Sequence, residues 1–294
     1  MKKYLLIGAL LFTIPNFACD TCSGSVGLVD NGAFQLERNY VGVVWSFLSQ
    51  RSNYTTFESE IQNKIRIHQV GLMAGFNFKE KYNISVAVPS YVAYSKGLNS
   101  FSLGDPLINF RYRIYKNAAS PLKPASHILY GNFGLKIPFG VFVNQSLNQI
   151  DNINFSTKTV DFVLGAQYIY TKKNKGINLS FNSRLNTRDK SKNSIGHGFV
   201  LRTLLFANKD FNKSTLSLFA GLSGEYNLKE ISNGYTLPFS GGKALYLTLG
   251  GNLNVNNFIS VMINPELPLV QDYHIQNGTI FTNLRINLNT KILF

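Results

Sequence analysis

The chain has 294 residues, of which only 15% are charged and 13% are aromatic. A typical soluble domain has about a quarter charged residues, so an ordinary soluble protein is disfavoured. The formal net charge of +14 suggests an anionic partner. Because Lys and Arg are scattered singly, with no basic helix or aromatic RNA-binding motif, we exclude nucleic acid and favour lipopolysaccharide phosphates outside or an anionic solute inside.

Residues 1–18 have the pattern of a secretory signal peptide, with Lys2 and Lys3 followed by an apolar run that is too short for a membrane anchor. Cleavage after residue 18 would leave Cys19 at the new N-terminus. Cys19 and Cys22 are the only cysteines, and a local disulfide, a lipid-modified Cys19 or two free thiols all remain open. We expect residues 19–38 to be a periplasmic segment and residues 39–294 to form the main domain.

The main domain contains about twelve strand candidates. Many of them alternate apolar and polar residues, and no stretch reaches the ~18 apolar residues of a membrane helix. This pattern predicts an all-β protein, a transmembrane antiparallel up-and-down β-barrel. The candidates are residues 39–49, 64–79, 82–95, 102–116, 126–139, 158–172, 176–187, 196–209, 214–228, 242–255, 258–269 and 277–294.

The last strand gives the strongest signal. From Ile280 to Phe294 every second residue is apolar or Thr, while Arg285 and Lys291 lie among the intervening residues. We expect the first set to face lipid and the second to face the interior. Only Phe281 and Leu293 break the pattern.

The connections alternate in length, as bacterial barrels require. Short turns are expected on the periplasmic side, where both termini lie, with residues 117–125 as a longer exception. Long polar loops are expected outside, at residues 50–63, 140–157 and 229–241. An aromatic girdle at the periplasmic interface is predicted from Phe78, Tyr112, Tyr170 and Phe294.

Charged residues on the inward faces suggest a function. Arg111, Arg202 and Arg285 belong to predicted strands 4, 8 and 12, near mid-depth, and could form a basic constriction that favours anions. Alternatively, they pair with interior carboxylates, Asn or Tyr and merely fill the barrel. The other predicted interior charges are Asp105, Arg113, Lys136, Asp161, Arg184 and Glu225.

Enzymatic activity is disfavoured. A membrane-barrel phospholipase requires His and Ser two residues apart on one strand, and none of the four histidines has such a Ser. We find no metal-binding or phosphate-binding motif, so we expect no cofactor, no metal and no catalytic residues.

Gly104-Asp105-Pro106, followed by the segment from Ile108 to Arg113, resembles the Gly-Asp and aromatic-basic strand of outer-membrane barrels such as the MetA-like phenol-degradation meta-pathway group. The opening Cys19-Asp20-Thr21-Cys22 resembles that of some Bacteroidetes-type barrels. The terminal Phe294 resembles the signal read by the barrel-assembly machinery. These resemblances imply transport of small, in part hydrophobic, compounds.

We therefore predict a monomeric, porin-like β-barrel in the outer membrane of a Gram-negative bacterium, which acts as a passive channel or transporter for small solutes. Its expected partners are outer-membrane lipid, lipopolysaccharide and the barrel-assembly machinery. The alternative is a non-conducting structural or adhesive barrel that acts through its outer loops.

Overall fold

The computed structural model describes residues 38–55, 60–95, 98–120, 124–140, 156, 159–188, 192, 194, 196–238, 240–275 and 278–294. Within this part of the chain, no helix has the length and apolar character needed to cross a membrane. The strands are, in chain order, β1 (Tyr40–Thr55), β2 (Glu60–Phe78), β3 (Tyr82–Ser95), β4 (Leu98–Leu103), β5 (Leu107–Asn117), β6 (Ala125–Lys136), β7 (Asp161–Lys172), β8 (Lys175–Asn186), β9 (Gly198–Phe211), β10 (Ser214–Asn227), β11 (Ile231–Ser232), β12 (Tyr235–Thr236), β13 (Gly241–Val255), β14 (Ile259–Ile275) and β15 (Gly278–Leu293).

Thirteen of the strands form one antiparallel sheet that closes on itself. The order is β2-β1-β15-β14-β13-β10-β9-β8-β7-β6-β5-β3-β4, and β2 also pairs with β3. β4 and β5 both pair with β3, so together they make one wall strand interrupted at residues 104–106. The wall therefore has twelve strands, which confirms the predicted twelve-stranded barrel.

The wall has an apolar outer face and a largely polar inner face. In β3, outward Ile84 and Val88 are 38% and 41% exposed, whereas inward Asn83 is 7% exposed. Successive side chains of a strand point to opposite faces, so one face contacts lipid and the other lines the interior. Closure through the β2–β3 pairing joins the two ends of the sheet, and backbone groups in lipid are then satisfied by neighbouring strands instead of water. These features indicate a protein of the bacterial outer membrane.

The weak alternation of β9 has a packing reason. Its inward Leu204 and Phe206 are apolar as well as buried, and they pack with inward Phe219 and Met262. Because both faces of β9 are apolar at this height, the sequence shows little contrast between them.

The predicted extent of the outer loop, residues 50–63, is wrong. β1 continues to Thr55 and β2 begins at Glu60, so both strands extend well into the predicted loop. The apolar alternation ends earlier because it reflects contact with lipid, whereas hydrogen bonding between the strands continues above the lipid. The predicted loop 229–241 contains the small hairpin of β11 and β12, and most of 140–157 lies outside the described residues.

A bulge in β15 corrects the predicted face of two residues. The partner of β1 changes from Leu284, opposite Ser49, to Thr282, opposite Gln50, which skips Asn283. An extra residue of this kind reverses the alternation. Ile280 and Thr282 are consequently buried in the interior rather than facing lipid, and Phe281 is exposed.

The turns at the end that carries both termini are short, as predicted. They have left-handed backbone conformations that fit tight hairpin turns. Positive φ angles of 48–57° occur at Lys79, Glu80, Lys173, Asn212, Asn256 and Asn257.

Candidate functional site

Four charged side chains, each from a different strand, meet in the barrel interior. Arg202 of β9 donates a hydrogen bond from Nη2 to Glu266 Oε1 of β14 over 2.6 Å. Arg285 of β15 donates from Nη2 to Glu225 Oε2 of β10 over 3.0 Å, and from Nη1 to Glu225 Oε1. Arg285 Nη1 also lies 3.7 Å from Glu266 Oε2, which joins the two pairs into one network.

Two tyrosines complete this network. Tyr273 donates from its hydroxyl to Glu225 Oε2 at 3.1 Å. The guanidinium carbon of Arg285 lies 4.4 Å from the ring centre of Tyr246. Two positive charges face two negative ones, and such pairing with hydrogen bonds offsets the hydration that buried ions lose. The network thus connects five consecutive strands of the wall, from β9 to β15.

Glu266 is a central residue of this network that sequence reasoning missed. It lies on the inward face of β14 and is 2% exposed. Apolar and polar residues alternate weakly in the strand candidate at residues 258–269, so its sequence does not indicate which residues face the interior. The available signal is that Glu266 is a lone carboxylate within the apolar run from Pro265 to Val270.

A second buried cluster lies at the outer ends of β6 and β7. Lys136 Nζ lies 2.6 Å from Asp161 Oδ2 and 3.5 Å from Asp105 Oδ2. Thr159 Oγ1 donates to Asp161 Oδ1 at 2.9 Å, and the Gly140 amide donates to Asp105 Oδ1 at 2.9 Å. The cluster therefore holds one cation between two carboxylates.

Arg111 lies in a third part of the interior. Its Nη2 donates to Gln167 Oε1 at 2.5 Å, and Gln167 Nε2 donates to Asn178 Oδ1 at 3.1 Å. The guanidinium carbon lies 3.7 Å from the ring centre of Tyr130, a cation–π contact. These contacts connect the Arg111 side chain to β6 and β7.

Lys291 of β15 is a further inward cation, near enough to Arg111 for the two charges to repel. Its Nζ lies 4.7 Å from the ring centre of Tyr40. Among the described residues no carboxylate forms an ion pair with Lys291. Nothing in the sequence of one strand distinguishes this lysine from others, so sequence reasoning did not single it out.

Two of the three arginines of the predicted constriction thus come together, while Arg111 lies apart from Arg202 and Arg285. Of the remaining predicted interior charges, Arg113 Nη2 lies 3.6 Å from Glu80 Oε2 in the β2–β3 turn. Arg184 faces inward on β8 and is 1% exposed. Anion selection by the arginines stays a prediction.

The four residues of the predicted aromatic girdle lie on the outer face. Phe78, Tyr112 and Phe294 are exposed, and the half-buried ring of Tyr170 lies 5.1 Å from that of His127. Their common role at the membrane interface stays a prediction. The predictions for Cys19 and Cys22 fall outside the described residues.

His197 lies outside the strands, just before β9, and it connects the outer ends of β8 and β9. The Asn186 amide donates a hydrogen bond to His197 Nδ1 at 3.0 Å. Burial and the nearby charge of Arg184 lower the pKa of His197, and Asp161 opposes this shift. A neutral imidazole with Nδ1 as acceptor fits these surroundings.

We therefore expect acid to weaken this contact. Because the pKa of His197 is lower in the folded protein, its contribution to stability is complete above the unfolded value of about 6.5 and is lost as the pH falls through the folded pKa. Amide exchange at Asn186, corrected for its intrinsic pH dependence, should become faster as the pH falls from 7.5, by about fivefold once His197 is protonated, since one hydrogen bond contributes about 1 kcal/mol. His197→Gln should remove this pH dependence; equal protection before and after protonation of His197 in the native protein would contradict the assignment.

No family model matches the sequence, and no curated protein matches it. The structure is similar to the COG4313 outer membrane channel from Pseudomonas putida F1, with a TM-score of 0.62 and 14% identity over 87% of this chain and 96% of that one. The NanC porin has a TM-score of 0.44 and 9% identity over 84% and 100% of the two chains. The TodX monoaromatic hydrocarbon channel has a TM-score of 0.40 and 8% identity over 89% and 92%. By its own closed wall and by its likeness to the first of these structures, the chain has the fold of an outer-membrane β-barrel.

Proposed function

We propose that this barrel is a passive channel through which small solutes cross the outer membrane. The observation that carries the proposal is the polar interior. Among the described residues, side-chain polar atoms of Ser223, Thr248 and Asn289 are buried and have no hydrogen-bond partner within the protein. An inner face lined by polar side chains such as these is typical of barrels that hold water and small polar solutes.

The proposed passage is narrow. Twelve strands lie between the eight of barrels filled by side chains and the sixteen or more of open porins. Long inward side chains, Arg184 and Tyr246 among them, are almost fully buried. A path between such side chains admits small solutes and excludes large ones.

A preference for anions is the finer part of the proposal. Arg111 and Lys291 place two positive charges close together, whereas Arg202 and Arg285 share their interior region with two glutamates. We therefore assign the larger effect on selectivity to the region of Lys291 and Arg111, since Lys291 forms no ion pair with a carboxylate of the described residues and cations in a pore attract anions.

Reconstitution in planar bilayers tests both parts of the proposal. Wild type should conduct and favour chloride over potassium, and Arg111→Gln or Lys291→Gln should lower that permeability ratio by up to about fivefold, the effect of one charge at ~4 Å in water. Arg202→Gln and Arg285→Gln should favour cations, because each leaves a glutamate in excess. Lys209→Gln, an exposed lysine on the outer face, is the matched control.

Two outcomes would contradict the proposal at different levels. Absence of conductance in wild type would exclude the channel. Conductance with a permeability ratio that Lys291→Gln leaves unchanged would exclude only the assignment of selectivity.

An apolar patch in the interior supports hydrophobic compounds as a second solute class. Ile65, Ile67 and Tyr91 form a buried cluster on the inward faces of β2 and β3, with Leu48 packed against it. This patch lies toward the outer ends of these strands, where a solute would enter. Benzoate, which is both aromatic and anionic, is therefore the solute that we would test first, by swelling of liposomes that contain the protein.

The alternative of a non-conducting barrel is supported by the long β1–β2 and β14–β15 hairpins. These strands have 16–19 residues, against 12 in β6, β7 and β8, so one side of the wall is taller. Shortening these hairpins should preserve solute uptake in a channel and abolish surface binding in an adhesive barrel.

The other predictions made from the sequence belong to the same proposal. We infer a signal peptide at residues 1–18, a periplasmic segment at residues 19–38 and a monomeric barrel. We also infer assembly through the C-terminal strand and a relationship to the MetA-like group. The Gly104-Asp105 sequence supports the relationship to the MetA-like group, the aromatic residue Phe294 after the last strand supports its role in assembly, and the basic and apolar residues 2–14 support the signal peptide.

A further inference from the structure

Three exposed cations, Arg51, Lys64 and Arg66, form a basic cluster on the outer face of the β1–β2 hairpin. Arg51 is directly opposite Lys64, and Arg66 lies two residues further along β2 on the same face. Within the described part of the chain, none of the three forms an ion pair. Like charges directly opposite each other destabilise a strand pair, so a bound anion would stabilise this hairpin.

The basic cluster borders a recess of about 690 Å³. Ser49 of β1 and Asn283 and Leu284 of β15 also line it. Asn283 is the bulged residue of β15, and a bulge bends its strand locally. The recess therefore combines three cations with polar groups where the outer surface of the wall is irregular.

Aromatic rings lie directly below the basic cluster on the same face. The ring of His68 lies 5.0 Å from that of Phe47 and 5.8 Å from that of Tyr94, and Trp45 stacks on Phe47 at 6.3 Å. The amphipathic rings of Trp and Tyr, here Trp45 and Tyr94, concentrate at the boundary between lipid tails and head groups. The ring cluster thus marks the outer interface immediately beneath the cations.

The height of the basic cluster agrees with this boundary. Arg51 lies eleven residues above Tyr40, which is at the periplasmic end of β1. At about 3.3 Å per residue and a tilt of about 40°, this corresponds to about 28 Å, just above an apolar band of about 25 Å. The outward residues below, such as Val41 and Val43, are apolar and exposed.

We propose that the basic cluster binds the phosphate groups of lipid A, the lipid anchor of lipopolysaccharide, in the outer leaflet. The phosphates contact Arg51, Lys64 and Arg66, while acyl chains lie along the apolar face below the aromatic rings. Guanidinium and ammonium groups are the usual phosphate ligands of proteins. The site requires the outer-membrane location of the barrel and is independent of whether the interior conducts.

Titration of the delipidated full chain with lipid A in detergent, followed by native mass spectrometry, tests the proposal. Arg51→Ser/Lys64→Ser/Arg66→Ser should bind bisphosphorylated lipid A on the order of 100-fold more weakly than wild type, since each cation near an anionic lipid surface contributes about fivefold. The single variants Arg51→Ser and Arg66→Ser should each lose about fivefold. Heat-modifiable gel mobility verifies that every variant is folded.

A matched control removes the same number of charges at the opposite end of the barrel. Lys172, Lys173 and Lys175 are exposed at the periplasmic β7–β8 turn, and their triple change to Ser should leave lipid A binding unchanged. Lipid A stripped of phosphate should bind weakly to wild type, and inorganic phosphate should not compete. The proposal is overturned if the cluster variant binds like wild type, if the control loses as much affinity, if dephosphorylated lipid A binds equally, or if inorganic phosphate at the same concentration as lipid A displaces the lipid.

Discussion

Glu266→Gln should lower the free energy of unfolding by about 3–5 kcal/mol, the usual cost of removing one partner from a buried ion pair. The carboxylate of Glu266 accepts a hydrogen bond from Arg202 and also lies near Arg285, and it is almost fully buried. Its neutral replacement leaves two buried guanidinium groups facing a single carboxylate, that of Glu225. Urea unfolding in detergent micelles, followed by heat-modifiable gel mobility, measures the loss.

A double variant separates the cost of an unpaired charge from the value of the pair. In Arg202→Met/Glu266→Leu both charges disappear, and Arg285 keeps its two contacts with Glu225. Replacing a whole buried pair by apolar side chains is often neutral, so this variant should lie within about 1 kcal/mol of wild type. Asp272→Asn, at an exposed position of the same strand, is the control and should change stability by less than about 0.5 kcal/mol. If Glu266→Gln is as stable as Asp272→Asn, the buried guanidinium groups of Arg202 and Arg285 do not depend on the carboxylate of Glu266.

The outer face of the barrel could be predicted from the sequence, because the outward residues of each strand are apolar where they contact lipid. Outward Ile84 and Val88 alternate with inward residues regardless of what other strands do. The limits of β1 and β2 could not be predicted in the same way. Beyond Gln50 both faces meet water, so alternation ends while hydrogen bonding between the strands continues to Thr55.

The interior contacts depend on how several strands are placed relative to one another, which the sequence of a single strand does not show. Arg202 and Glu266 are 64 residues apart and lie on strands that are not neighbours. Their meeting requires the register of β9, β10, β13 and β14 together. The sequence therefore predicts inward arginines without their partners. The bulge at Asn283 is equally hidden, since Thr282 and Leu284 on either side of it continue the alternation of the sequence.

The three charged regions of the interior differ in sign, and this difference connects stability with permeation. The glutamate–arginine network pairs two cations with two carboxylates, the Lys136 cluster holds one lysine between two carboxylates, and in the third region Lys291 forms no ion pair with a carboxylate of the described residues. Pairing gives the first two a structural role that any change of charge would disturb. In the proposed channel a selective role is better suited to the third, because a passing anion would relieve the repulsion between Lys291 and Arg111.

The second large effect is expected at Lys136, whose ammonium group lies between Asp161 and Asp105. Lys136→Met should lower the free energy of unfolding by about 3–5 kcal/mol, because two buried carboxylates lose their contacts with its ammonium group. The same urea unfolding experiment measures it. Lys243→Met is the matched control, since Lys243 lies 3.8 Å from Asp272 in an exposed pair and should contribute less than about 1 kcal/mol.

A compensating change identifies the cause of the loss. Lys136→Met/Asp161→Asn removes the carboxylate nearest to the lysine, while Thr159 remains beside the new amide and Asp105 keeps the Gly140 amide as donor. We expect this double variant to recover more than half of the lost stability. If it is instead no more stable than Lys136→Met alone, lost packing of the lysine stem rather than unpaired charge causes the effect. The electrostatic role of Lys136 at the outer end of the wall would then be wrong.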